Sequence, residues 1–132
     1  MDPERLAGLP LFADLDDDER AEVAACAREV TVETGTTLAA QGDNAYELFV
    51  IETGEAEVRK GGEVIASVGQ GDVVGEIGLL VTGTRTASLV ATTPMTLVAM
   101  FSREFKQIEN RMPAIAESLR ATIRERVART RL

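Results

Sequence analysis

Glu76 and Arg85 stand nine positions apart in GEIGLLVTGTRTASL, residues 75–89, a stretch made otherwise of glycine and small or apolar residues. A guanidinium in such company can grip a phosphate through paired charge-assisted bonds. The Thr86 hydroxyl and the amides of Thr86 and Ala87 stand ready to add donors to the same anion. Glu76 opposes an anion, and a carboxylate only accepts hydrogen bonds. It therefore calls for a ligand hydroxyl, and a ligand without one would leave it unpaired at a cost of about 1–3 kcal/mol. A phosphate and a sugar hydroxyl within one side chain's reach satisfy both residues, and a cyclic nucleotide carries both. Catalysis is not expected. The chain has no histidine, so a general base would have to be a carboxylate, lysine or tyrosine, and no nucleophile–base pair is visible.

The local sequence supplies the means to position that pair. After the strand-like DVV, Gly75 permits a sharp turn because it has no Cβ. EIGLL is long enough for about one helical turn, whose N-terminal amides and dipole attract an anion. Gly78 leaves the backbone there open to approach. VTGT brings the chain back to Arg85, at the start of the strand RTASLVA.

The totals bound the rest. The chain of 132 residues suits one domain with a real core. Its net charge of −8 is unevenly spread. Residues 1–100 carry 6 basic and 18 acidic side chains, a net of −12, and residues 101–132 carry 8 and 4, a net of +4. An acidic body repels nucleic acid, whose binding depends on phosphate neutralisation. No window of 18 apolar residues predicts a membrane span, and MDPERLAGLP lacks the layout of a signal peptide. A cytoplasmic location is expected, in keeping with a single cysteine, Cys26, which reads as a core thiol.

Three parts follow along the chain: residues 1–29 helical, 30–100 a β-barrel, and 101–132 helical again. In DLDDDERAEVAACAREV, Asp16 and Glu19 form a capping box, with acidic residues in the first turn. Val23, Cys26 and Val30 then share one helical face. The short apolar runs YELFVI, AEVRK, EVIASV, ASLVA and MTLVAM read as strands divided by turn signals, including QGDN at 41–44. Gly61-Gly62 predicts a tight hairpin, since both residues accept positive φ. Such strands imply a barrel or jelly roll. Ser102 is expected to cap a helix whose apolar face holds Phe105, Ile108 and Met112. Pro113 ends that helix or starts the next, and Ile115, Leu119, Ile123 and Val127 then recur every four residues.

GEIGLLVTGTRTAS resembles the phosphate-binding cassette of cyclic-nucleotide-binding domains, the family of catabolite activator proteins, cyclic-nucleotide-dependent kinases and cyclic-nucleotide-gated channels. LPLFADL, GDNAYELFVIETGEAEV and GQGDVVGEIGLL extend the likeness over about residues 8–125. The resemblance implies a mainly β fold with flanking helices: a double-stranded β-helix (jelly-roll) barrel with an N-terminal helix and two C-terminal helices. It implies that Glu76 takes the ribose 2′-hydroxyl and Arg85 the cyclic phosphate, with Gly75 and the backbone at Ile77, Gly78, Thr86 and Ala87 completing the cradle. Thr84, Gly78 and Val74 depart from the family's commoner proline, alanine and phenylalanine, and none of the three removes a charged contact. A hydroxyl at Thr86 can favour guanine, yet channel domains with an RTAS cassette prefer cAMP, so cAMP is slightly favoured over cGMP. The final helix is expected to cap the base, with Leu119, Arg120, Ile123 and Arg124 as candidate contacts.

The function implied is a regulatory sensor that binds cAMP or cGMP, needs no metal or other cofactor, and signals through a C-terminal lid to an effector protein or attached domain. The Ile115–Val127 stripe packs within the chain or, as in the dimeric activators, forms a homodimer interface. A cupin-type enzyme is excluded, because its metal chemistry uses imidazole ligands. Direct DNA reading is not expected, since no helix-turn-helix fits between the long helix and Leu132. The alternative is the same fold without nucleotide, acting as a protein-interaction module.

Overall fold

In the computed structural model, which describes residues 1–75 and 84–127, α1 (Pro3–Ala7), a 3-10 turn (Pro10–Phe12) and α2 (Asp17–Ala25) lead into eight strands. These are β1 (Arg28–Val32), β2 (Thr37–Ala39), β3 (Glu47–Thr53), β4 (Ala56–Lys60), β5 (Glu63–Val68), β6 (Val73–Val74), β7 (Ser88–Ala91) and β8 (Met95–Phe101). Two helices follow, α3 (Ser102–Arg111) and α4 (Pro113–Val127). The strands form two antiparallel four-stranded sheets, ordered β1-β8-β3-β6 and β2-β7-β4-β5. This is the mainly β jelly-roll architecture that the residue pattern predicts, with two C-terminal helices and more than one helical turn at the N-terminus.

Within the first sheet β3 and β8 are buried on both faces, which explains the unbroken apolar runs LFVI and LVAM. Side chains alternate across a strand. Phe49 and Ile51 of β3, Leu97 and Ala99 of β8, and Val74 of β6 point inward, against Val58 and Leu89 of the other sheet. Leu48, Val50, Val98, Met100 and Val73 point outward, against Leu6, Phe12, Val23, Phe105, Ile108, Leu119 and Ile123 of the helical layer. Burying each large apolar side chain stabilises the fold by about 1.5–3 kcal/mol, so the helices are bound to the sheet by the same strands that line the barrel. Ion pairs at the rim add alignment. Arg5 of α1 donates to Glu52 of β3 through Nε and Nη2 and also pairs with Glu29 of β1.

Local chemistry accounts for the boundaries. The Asp16 side chain accepts from the Glu19 amide at 2.8 Å while the Glu19 carboxylate accepts from the Asp16 amide, also at 2.8 Å, completing the capping box. Between β4 and β5, Gly61 and Gly62 take φ of 59° and 84° and close a two-residue hairpin. Pro113 occupies the first position of α4, where its missing N–H costs nothing.

Three expectations need correction. Helix α2 stops at Ala25, and the Cys26 amide closes the last turn on Val23 and Ala24. Val30 therefore belongs to β1, where it pairs with Leu97, and does not extend a helical face from Val23. The β-branched alternation of Val30, Thr31 and Val32 favours the sheet over the helix there. The strands thus run from Arg28 to Phe101. Ser102 is the first helical residue and not the cap; that place is taken by Phe101 in extended backbone, without a side-chain bond. Arg85 precedes β7, which starts only at Ser88.

Candidate functional site

At one end of the barrel the structure buries a cation. Arg85 is 3% exposed, and among the described residues it is the one charged side chain classed with the interior. Removing a charge from water is costly unless polar groups replace the water. The replacement comes from β3: Arg85 Nη2 donates to the Glu47 carbonyl oxygen at 2.6 Å, and the Glu47 carboxylate stands 3.7 Å from the same nitrogen. Glu47 remains partly open to solvent, so the cation lies just inside the surface with an acid at its outer edge.

Gly75 fixes the opposite side. β6 pairs with β3 through Phe49↔Val74 and Val50↔Val73, which brings the end of β6 beside the start of β3. The chain then turns at Gly75 with φ of +87°, in the left-handed region. A Cβ at this glycine would lie 2.5 Å from Arg85 Nη1, 3.0 Å from the Glu47 carbonyl oxygen and 3.3 Å from Arg85 Cζ. The guanidinium thus lies close against bare backbone. Both the conformation and the space require glycine.

The Arg85 main chain is held independently of its side chain. Its amide donates to the Asp43 carbonyl at 2.8 Å, and its carbonyl accepts from the Gly42 amide at 2.9 Å. An isolated bridge joins Asn44 to Thr84 beside them. Thr86, next in sequence, is exposed, whereas the Ala87 side chain turns into the barrel core. The predicted pieces Gly75, Arg85, Thr86 and Ala87 therefore gather at one rim. Glu76, Ile77 and Gly78 lie outside the described residues. Sequence reasoning missed Glu47 and read residues 41–44 only as a turn, because both act on Arg85 through main-chain atoms that any residue type would offer.

Three of the four expected base contacts on α4 are engaged elsewhere in this arrangement. Leu119 and Ile123 are 2% and 1% exposed within the helical core. Arg120 pairs with Glu109 of α3 and with Glu117 at 3.2 Å, and its Cζ lies 5.4 Å from the centre of the Phe105 ring. Arg124 is exposed. Ala116 also packs into the core with Ile115 against it, so the apolar stripe from Ile115 to Ile123 faces its own domain. Cys26 is buried as expected, and desolvation pushes its thiol pKa up, away from reactivity. Among the described residues no helix is long and apolar enough to cross a membrane.

Comparison with known proteins bears on this geometry. The family model for the cyclic nucleotide-binding domain matches residues 29–111. The cAMP-dependent protein kinase regulatory subunit of Yarrowia lipolytica is 33% identical over 105 residues, which cover 78% of this chain and 28% of that protein. The chain spans about a quarter of the length of the curated relatives it matches. Among solved structures, the N-terminal domain of a transcriptional regulator from Streptomyces coelicolor A3(2) is 32% identical with a TM-score of 0.78, covering 96% of this chain and 94% of that one. The Thermus thermophilus catabolite activator protein is 28% identical with a TM-score of 0.77, covering 92% and 59%.

Proposed function

The chain belongs to the cyclic nucleotide-binding domain family, and from that premise we propose that it takes up cAMP, in slight preference to cGMP, at the Arg85 rim and serves as a regulatory sensor. The observation that carries this reading is the buried guanidinium of Arg85, preorganised on the Gly75 backbone in a body of opposite charge. A cation held in place before the ligand arrives costs no reorganisation when an anion replaces water beside it. In this reading the cyclic phosphate pairs with Arg85, aided by the Thr86 hydroxyl and the amides of Thr86 and Ala87. Glu76 and the backbone at Ile77 and Gly78 complete the cradle, with Glu76 accepting from the ribose hydroxyl.

The C-terminal helices act as the lid. Two regions of α4, the buried Leu119–Ile123 face and the Arg120–Glu109 pair, tie it to the domain. Nucleotide shifts the population between this arrangement and one in which α4 covers the base, and the difference is what an effector protein or domain reads. The relatives named as regulatory subunits of a cAMP-dependent protein kinase support a regulatory reading of this kind.

Equilibrium titration with cAMP, cGMP and non-cyclic 5′-AMP tests the proposal. Micromolar or tighter binding of a cyclic nucleotide, with 5′-AMP much weaker, is expected. Absence of heat and of any thermal shift with both cyclic ligands would transfer the fold to the nucleotide-free interaction class.

A further inference from the structure

We infer that Gln41 is a positioning residue for Arg85, reaching the anion site through the loop Gln41–Asn44 and linking it to the tip of the β4–β5 hairpin. For nucleotide affinity this rests on the proposed function; for the mechanical link it stands on the bonding alone.

Gln41 is bonded at both ends. Its amide donates to Ser88 Oγ at 2.9 Å, and its side-chain Oε1 accepts from the Gly61 amide at 3.0 Å. The second bond answers a specific need. In a two-residue hairpin closed by Lys60↔Glu63, the Gly61 amide has no partner in the ladder. Gln41 is one of the few side chains long enough to supply one from a neighbouring loop. The first bond anchors the same residue to β7, at the point where Ser88 pairs with Arg59 of β4.

From this anchor the loop runs directly along Arg85. Gly42, one residue on, donates to the Arg85 carbonyl at 2.9 Å, and Asp43, two residues on, accepts from the Arg85 amide at 2.8 Å. The peptide groups on both sides of the Arg85 Cα are therefore fixed by the two residues that follow Gln41. Those bonds set where the Cα–Cβ bond points, and so where a long side chain delivers its guanidinium. Gln41, Gly42 and Asp43 are all exposed, and loop backbone of that kind is loosely held unless side chains tie it down. Two ties meet at Gln41. Small misplacements of a binding group lose much of its effect, so a residue with no ligand contact can still tune the site.

Gln41→Met keeps the length and removes the accepting oxygen, whereas Gln41→Glu keeps an acceptor. Hydrogen exchange in the ligand-free protein reads the link without any nucleotide. The Gly42 and Arg85 amides should exchange about tenfold faster in Gln41→Met and near the wild-type rate in Gln41→Glu. Calorimetry with cAMP should show Gln41→Met weakened about three- to tenfold at an unchanged melting temperature. Unaltered Gly42 and Arg85 exchange in Gln41→Met would overturn the link, whatever the nucleotide result. Faster exchange with wild-type affinity would overturn the positioning role. If wild type itself binds no cyclic nucleotide, the functional reading fails, while the exchange rates still decide for or against the link.

Discussion

The backbone of Gly75 lies against the guanidinium of Arg85 so closely that a Cβ there would meet Nη1 at 2.5 Å and the Glu47 carbonyl oxygen at 3.0 Å. These three residues come from three separate pieces of chain: the end of β6, the approach to β7 and the start of β3. The site is therefore a product of sheet register as much as of a sequence motif. A buried arginine that met only side chains could be displaced by rotamer change, but one seated on backbone is held by the fold itself.

Gly75→Ala should damage both stability and binding. Its φ of +87° is unfavourable for alanine, and the combined strain and clash should cost about 1–3 kcal/mol. The guanidinium must also move, so affinity for a cyclic nucleotide should fall at least about tenfold. Thermal melts and calorimetry check both, and a variant with wild-type melting temperature and affinity would contradict the seat described for Arg85.

Glu47→Gln isolates the acid at the outer edge of the site. The bond that orients Arg85 is made by the Glu47 main-chain carbonyl, which the substitution leaves in place. Only the carboxylate charge 3.7 Å from Nη2 is lost. An incoming phosphate then meets less repulsion, and affinity should rise about two- to fivefold at low salt, with a smaller gain at high salt. Weaker binding would instead assign the orienting role to the Glu47 side chain.

Glu109→Gln tests the lid. It removes a partner of Arg120 while leaving the Leu119 and Ile123 packing intact. A partly exposed pair of this kind contributes about 0.2–1 kcal/mol. Loosening α4 by that amount should speed exchange of its amides and tighten nucleotide binding about two- to fivefold, because less of the population must be released before closure. Faster exchange without a change in affinity would separate α4 from ligand capture.

Glu29 predicts a pH dependence of stability. Its pKa is lowered in the fold, chiefly by the hydrogen bond from Arg5. A carboxylate with a depressed folded pKa stabilises above its unfolded value, about 4.3, and that contribution disappears as pH falls through the folded value. Wild type should therefore melt higher than Glu29→Gln at pH 7, and the gap should close under acid conditions below the ordinary carboxylate range. A gap that persists at low pH would mean the glutamate acts through packing and not through its charge.

Much of this was legible in residue types, and the parts that were not share a cause. The capping box at Asp16 and Glu19 and the Gly61-Gly62 turn are local: a side chain meets backbone within a few residues, so spacing alone predicts them. Arg85 stood out because an isolated cation among small residues in an acidic chain requires a reason. Val30 misled because a position four beyond Cys26 fits a helix even where β-branched neighbours and pairing with β8 win. Glu47, Gly42 and Asp43 were invisible as site residues because they bind Arg85 through main-chain atoms, and which main chain lies alongside is decided by register. The base contacts on α4 could be assigned only by position, and Leu119 and Ile123 prove to be core residues in this arrangement.

The most direct measurement is a paired calorimetric titration of wild type and Arg85→Ala with cAMP and cGMP, with melting temperatures recorded alongside. A charge-assisted bond to a buried phosphate is worth about 1.5–3 kcal/mol, so a folded Arg85→Ala should bind at least about tenfold more weakly than wild type. Equal affinity in a variant that still melts cooperatively would show that the nucleotide does not use this cation.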